Sequence, residues 1–216
     1  MKDPIYTRIA LAGESDSGKT FSASILAREL AAPNKTLIVD TENRAKLYRT
    51  KFPGFQIATV EMPFDPEKLT TLLAKSKAEG IELVIVDSAS FFWDRVNDIA
   101  TEMESTVKDK RRIWGKLTPR WDAFKNAINN AQLHVITTWK MKDVVPANAG
   151  DKPTRRVVVR GGGKALKFDY HLVFMMNEQR QAVMIKDNYD LFSDWKEPKQ
   201  ITSDTGKAIA KWLKEN

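Results

Sequence analysis

Gly13, Gly18, Lys19 and Thr20, set as Gly-x4-Gly-Lys-Thr in "GESDSGKT", are the residue types that wrap a chain of phosphates. The glycines allow backbone angles that turn amide N–H groups inward, and a helix beginning at the end of such a loop adds its own unpaired amides. Lys19 would place a point charge on the β- and γ-phosphates, and the Thr20 hydroxyl would ligate Mg²⁺. The run expected to touch ATP is Gly13, Glu14, Ser15, Asp16, Ser17, Gly18, Lys19, Thr20 and Phe21.

Carboxylates supply the rest of the chemistry. "LVIVD" is an apolar strand ending in Asp87, which places an acid at the sheet edge beside a metal held by Thr20. In "IVDTEN", Glu42 lies just past another strand end, where it could orient or deprotonate an attacking water; Asp40 competes for that role. Glu42 and Lys19 are thus the expected catalytic pair. The chain has no Cys, which excludes thiol chemistry; His134 and His171 are isolated on apolar strands, so no zinc site is expected and both read as structural.

The elements that position these residues alternate. Residues 6–12 read as a first strand, followed by a helix that Pro33 stops. Strands follow at 36–40 and 55–62, then a helix opened by Pro66 and closed on Gly80, then the strand 83–87. Helical material runs through "PRWDAFKNAINNA", with a strand at 134–139. Residues 171–177 and 181–188 form an antiparallel hairpin, and a tail helix ends the chain. This order predicts an α/β fold with a mainly parallel sheet, helices on both faces and an antiparallel extension.

The 216 residues read as one domain, and 42% hydrophobic content is enough to bury a full core. No stretch approaches the roughly 20 apolar residues of a membrane span, and there is no signal-peptide pattern, so a cytoplasmic location is expected. Net charge is +7, and much of the excess lies in 104–120 and in 142–163, the one long stretch without an apolar period. Lys108, Lys110, Arg111, Arg112, Lys116 and Arg120 flank Trp114 in the first segment; Lys152, Arg155, Arg156, Arg160 and Lys164 populate the second. Basic residues with an aromatic among them suit single-stranded nucleic acid, which is neutralised along its backbone and stacked on its bases. The competing reading of "VKDKRRIWGKL" is an amphipathic helix with Ile113 and Trp114 packed inward.

Taken in order, "GESDSGKT", "LIVDTENRAKLY", "LVIVDS", "TTWKMK" and "GGGKALKFDYHLVF" resemble the ATPase core of RecA-type recombinases. The chain as a whole is more similar still to the small bacteriophage ATPases of that lineage, some of which act in single-strand annealing and recombination. "WGKLTPRW" and "FSDWKEPKQITSDTGKAIAKWL" strengthen this likeness. The resemblance implies a RecA-like P-loop fold. It also implies Glu42 as the water-activating carboxylate, Asp87 beside Mg²⁺, Thr138 at the γ-phosphate sensor, and Lys186 reaching the nucleotide of a neighbouring subunit. It implies a homo-oligomer with ATP between protomers, and 104–120 and 142–163 as DNA-facing loops.

The leading expectation is an Mg²⁺-dependent ATPase acting on single-stranded DNA in recombination or annealing, with a single-strand binding protein as a further partner. The alternative is a nucleotide-dependent switch or scaffold with little turnover; a small-molecule kinase is a third reading.

Overall fold

A computed structural model describes residues 3–144 and 154–216, and the side chains of 144, 154 and 155 lie outside that description along with 145–153. In chain order the elements are β1 (Arg8–Gly13), α1 (Lys19–Leu30), β2 (Thr36–Asp40), β3 (Gln56–Thr59), α2 (Pro66–Ala78) and β4 (Leu83–Asp87). They continue as α3 (Ser90–Glu104), α4 (Lys110–Asn129), β5 (His134–Val144) and β6 (Thr154–Val157). Last come α5 (Gly163–Asp169), β7 (Leu172–Met176), β8 (Ala182–Asp187) and α6 (Ser203–Glu215). One sheet runs β3-β2-β4-β5-β1-β7-β8, with β6 paired to β5 outside that path. All neighbours are parallel except β5–β6 and β7–β8.

The apolar strands are apolar throughout because both faces of the sheet are covered. Side chains alternate between the faces. Ala10, Ala12, Val39, Val84, Val86 and Val135 join a core with α2, α3, α4 and α5. Ile9, Leu11, Ile38, Ile85, Ile136 and Phe174 join a second core with α1 and α6. The α/β architecture with its antiparallel extension is as the alternating pattern predicts. β3 is the half-covered edge, which is why its apolar period is weaker.

The two basic segments differ from expectation. Residues 110–120 are not a loop: they are the first half of α4, capped by the Asp109 carboxylate, which accepts from the Arg111 amide. Pro119 sits inside this helix. An interior proline removes one helix hydrogen bond and crowds the carbonyl one turn back, at a cost of about 3 kcal/mol. Ile113, Leu117, Trp121, Phe124 and Ile128 are all buried on one face. At about 2 kcal/mol each, their burial outweighs the proline several-fold. Residues 142–163 are likewise not wholly irregular: β5 continues past the expected end to Val144 and pairs antiparallel with β6.

At the opposite edge of the sheet from the phosphate loop, two histidines are held neutral. His134 Nδ1 accepts the Thr7 amide at 3.1 Å, and its ring meets Tyr6 edge-on. His171 Nδ1 accepts the Arg8 amide at 3.3 Å. Burial, with the Arg8 guanidinium nearby, pushes His134 down to about 4 and moves His171 in the same direction. Between 6.5 and about 4 the unfolded chain binds a proton at His134 that the folded chain refuses. This contribution to stability is therefore complete above 6.5 and is lost as pH falls through that window. Urea midpoints measured from neutral pH to about 4.5 should lose about 2 kcal/mol more stability in the wild type than in His134→Gln.

Candidate nucleotide site

β1 ends at Gly13, and the turn from strand to helix is closed by backbone geometry that only glycine fits. A Cβ on Gly13 would lie 2.5 Å from Ser17 Oγ and 2.9 Å from the Met176 backbone oxygen. Gly18, the residue before α1, has φ +83, in the left-handed region that side chains disfavour. The Glu14 carbonyl accepts from Ser17 Oγ at 2.8 Å and from the Lys19 ammonium, so the lysine reaches back across the loop mouth. Burial lowers the pKa of Lys19, opposed by the neighbouring carboxylates of Asp87 and Glu42.

Thr20 Oγ1, in the first turn of α1, donates to Asp87 Oδ2 at 2.7 Å. Asp87 closes β4, and its other oxygen accepts from the Thr138 hydroxyl. Burial raises the Asp87 pKa, and the two hydroxyl bonds oppose that rise. Asp40 and Glu42, left as competitors by their spacing, have distinct jobs here. Asp40 is fully buried and accepts the amides of Glu42 at 3.0 Å and Ala45 at 2.8 Å, so both its oxygens are used to shape the turn. That turn points Glu42 into the cavity shared by Lys19, Thr20 and Asp87.

The phosphate-side cavity measures about 410 Å³. A second cavity of about 580 Å³ opens on the far side of Gly18 and is walled by Phe21, Ile25, Tyr48, Arg180 and Ile201. Asp16, Gly18 and Tyr48 border both cavities, so the two adjoin at the head of α1. Both carry cations, and the second adds aromatic and aliphatic side chains to Lys51 and Arg180. Together they suit a phosphate chain and the rest of a nucleotide respectively. Phe21 belongs to the second: it rests edge-on against Phe52 with ring centroids 5.5 Å apart.

Magnesium fits the donor set. Thr20 and Asp87 offer hard oxygens and leave room for phosphate oxygens and water, as a reluctantly dehydrated octahedral cation requires. Among the described residues, no cluster of histidine and carboxylate side chains would hold a metal without the phosphate.

Lys19, Thr20, Glu42 and Asp87 converge, while other expected residues do not. Thr138 is fully buried behind Asp87, so it braces the acid and does not face the cavity. β5 reaches the cavity with Lys140, two positions on and in register with Gly13, followed by Met141 and Lys142. The Lys140 ammonium is 3.0 Å from Glu42 Oε1. Lys186 pairs across the sheet with Val173, level with Ala10 on β1, and donates to the Lys167 carbonyl; it forms no part of its own chain's cavity. Among the lining residues that sequence reasoning missed are Lys140, Arg44, Tyr48 and Arg180. The motif "TTWKMK" held the signal for the first of them, but the strand was expected to end at 139 and runs on to Val144.

The basic segments meet on one face. The Arg160 guanidinium lies over the Trp114 ring at 5.9 Å. Trp114 in turn stacks on Trp93 with centroids 5.9 Å apart, so it packs inward as the amphipathic-helix reading has it and is not a free platform. Lys108, Arg111, Arg112, Lys116, Arg156, Arg160 and Lys164 are exposed. Lys110 pairs with Glu104 at 3.1 Å, and Arg120 grips Glu67 through two bonds at 2.6 and 2.9 Å. Arg155 lies in β6 opposite Asp143, its side chain undescribed, and Lys152 is outside the described residues.

Among the described residues no helix is long and apolar enough to cross a membrane. Compared with known proteins, residues 5–207 match the family described as an AAA domain, and no curated protein matches the chain.

Proposed function

This chain belongs to the AAA domain family of P-loop ATPases, and from that premise we propose that it is an Mg²⁺-dependent ATPase working on single-stranded DNA in phage-type recombination or annealing. The observation that carries the ATPase reading is the Thr20–Asp87 contact of 2.7 Å with Glu42 across the same cavity. Loop amides and Lys19 hold the phosphates, and Thr20 with Asp87 would hold the metal. Bound there, Mg²⁺ supplies charge neutralisation on the phosphate oxygens. Glu42 positions a water in line with the terminal phosphate and takes its proton, and Lys140 and Arg44 flank the charge that develops. Tyr48 and Phe21 border the space for the base. The chain is read as one domain that assembles with copies of itself around the nucleotide, in the cytoplasm of its host.

The DNA reading is supported by the exposed cations of α4 and of residues 156–164, which Arg160 and Trp114 bring together. Anisotropy of labelled oligo-dT tests it. Binding should weaken by roughly tenfold or more as salt rises from about 50 to 200 mM, for four or so phosphate contacts. The combined variant Arg156→Ala, Arg160→Ala, Lys164→Ala should flatten that slope. Unchanged binding in the triple variant rejects this face as the DNA surface, and transfer of phosphate to a small acceptor would move the protein among the kinases. One observation favours a slow switch or scaffold as the second reading: Glu42, the base, is already paired with Lys140.

A further inference from the structure

The geometry points to Arg180, in the turn of the β7–β8 hairpin, as a nucleotide-binding residue whose guanidinium grips the phosphate nearest the ribose. This rests on the nucleotide reading above and adds a ligand contact from outside the phosphate loop, on the antiparallel extension of the sheet.

Register puts the turn beside the loop. β7 pairs with β1 so that Met176 is level with Gly13, and the chain turns back directly afterwards to enter β8 at Ala182. The turn is tied at its base. The Asn177 amide donates to the Gln181 carbonyl at 2.8 Å, and Asn177 Oδ1 accepts the Gln181 amide at 2.8 Å. The Arg180 amide donates to the Asn177 carbonyl at 3.1 Å. Closure in this form leaves Arg180 at φ 60, in the left-handed region where glycine or asparagine is usual. A long charged side chain is strained there, and strain of this kind gathers where a side chain serves a ligand.

That side chain runs across the head of α1. A Cβ on Gly18 would meet Arg180 Cγ at 3.4 Å, its Cβ at 3.5 Å and its Cδ at 3.6 Å, so the arginine stem rests on this glycine. Arg180 lines the larger cavity and not the phosphate-side one, whereas Gly18 borders both. Burial and the Asp87 charge raise the Tyr48 pKa, and the Arg180 charge opposes the rise, so the guanidinium acts on the side of the junction that Tyr48 borders. A phosphate chain with its far end at Lys19, Thr20 and Glu42 passes Gly18 on its way to the larger cavity. The phosphate at that crossing is the one joined to the ribose. Arg180 is exposed and so open to a ligand, and its planar fork matches two oxygens of one phosphate. The contact is common to di- and triphosphates and indifferent to the base.

Calorimetric titration of the full chain with ADP, with non-hydrolysable ATP and GTP analogues, and with the two α-thio diastereomers of ADP tests this. Arg180→Gln should weaken ADP and both triphosphate analogues by the same factor, roughly tenfold. The wild type should prefer one α-thio diastereomer, and Arg180→Gln should reduce that preference. Arg180→Lys should recover part of the affinity through charge alone. Arg180→Gly should act in two directions: relief of the left-handed backbone raises the unfolding midpoint of the nucleotide-free protein by about 2 °C, while nucleotide affinity falls as in Arg180→Gln. A loss confined to the triphosphates, a loss that differs between adenine and guanine, unchanged affinity, or a lowered midpoint in Arg180→Gly overturns this inference alone. A wild type that binds no nucleotide overturns the underlying reading and this inference with it.

Discussion

Glu42→Gln lowers ATP turnover by about 10²- to 10⁴-fold while the triphosphate stays bound, as expected when a general base is replaced by its neutral isostere. Phosphate release from saturating ATP measures the first part, and titration with a non-hydrolysable analogue the second. The contrast that sharpens it is Asp40→Asn. Asp40 accepts two amides of its own turn, so its replacement misplaces Glu42 without removing it. That variant should lose turnover through a disordered site and lose folded stability as well. A Glu42→Gln protein with undiminished turnover would transfer the role to another group and leave the pair with Lys140 as a purely structural contact.

Arg8→Ala should destabilise the protein by about 3–5 kcal/mol, the range for removing one partner from a buried charged network. Arg8 is 4% exposed, and its guanidinium donates to the carbonyls of Tyr6 at 3.1 Å, Thr7 at 3.0 Å, Leu133 at 2.7 Å and Asn129 at 3.1 Å, and also to that of Ala131. Asn129 closes α4, so the cation sits at the negative end of that helix's dipole. Burial lowers its pKa to about 10, which still leaves it charged at neutral pH. Truncation strands these oxygens in a place that water reaches poorly, and each costs about 1–3 kcal/mol unless the backbone relaxes. Urea unfolding of the variant reads the loss. Nucleotide affinity of the fraction that remains folded should be unchanged, since Arg8 lies at the far end of β1 from Gly13.

What sequence alone made legible follows where one physical signal dominated. "TLIVD" and "LVIVD" read as buried strands because both faces of the sheet demand apolar side chains, and they lie side by side with Asp40 level with Asp87. The phosphate loop announced itself through glycines whose Cβ atoms would collide or whose φ is positive. Signals in conflict misled. "RRIWGKLTPR" carries charges, a glycine and a proline, yet its apolar residues recur at helical spacing and tertiary burial decides the outcome. "KMKDV" and "TRRVV" hold too few apolar residues to mark strands, because the ribbon they form has only one covered face. Thr138 and Lys140 share a face of β5, and spacing could not tell which one ends at the cavity; the register with β1 does. Asp40 and Glu42 were separable only once the amides that Asp40 accepts were visible.

β5 spans eleven residues, more than any other strand named here. It is clamped between β4 and β1 as far as Thr137 and paired with β1 as far as Lys140; from Met141 onward its only pairing among the described residues is with β6. The fulcrum of that projecting arm is thus the residue that touches Glu42. Four residues of extended chain reach about 13 Å at the usual rise. The strand that lines the phosphate cavity and the arm that pairs with Arg156 on the cationic surface are therefore one continuous backbone, so the two surfaces are joined by chain and not only by packing.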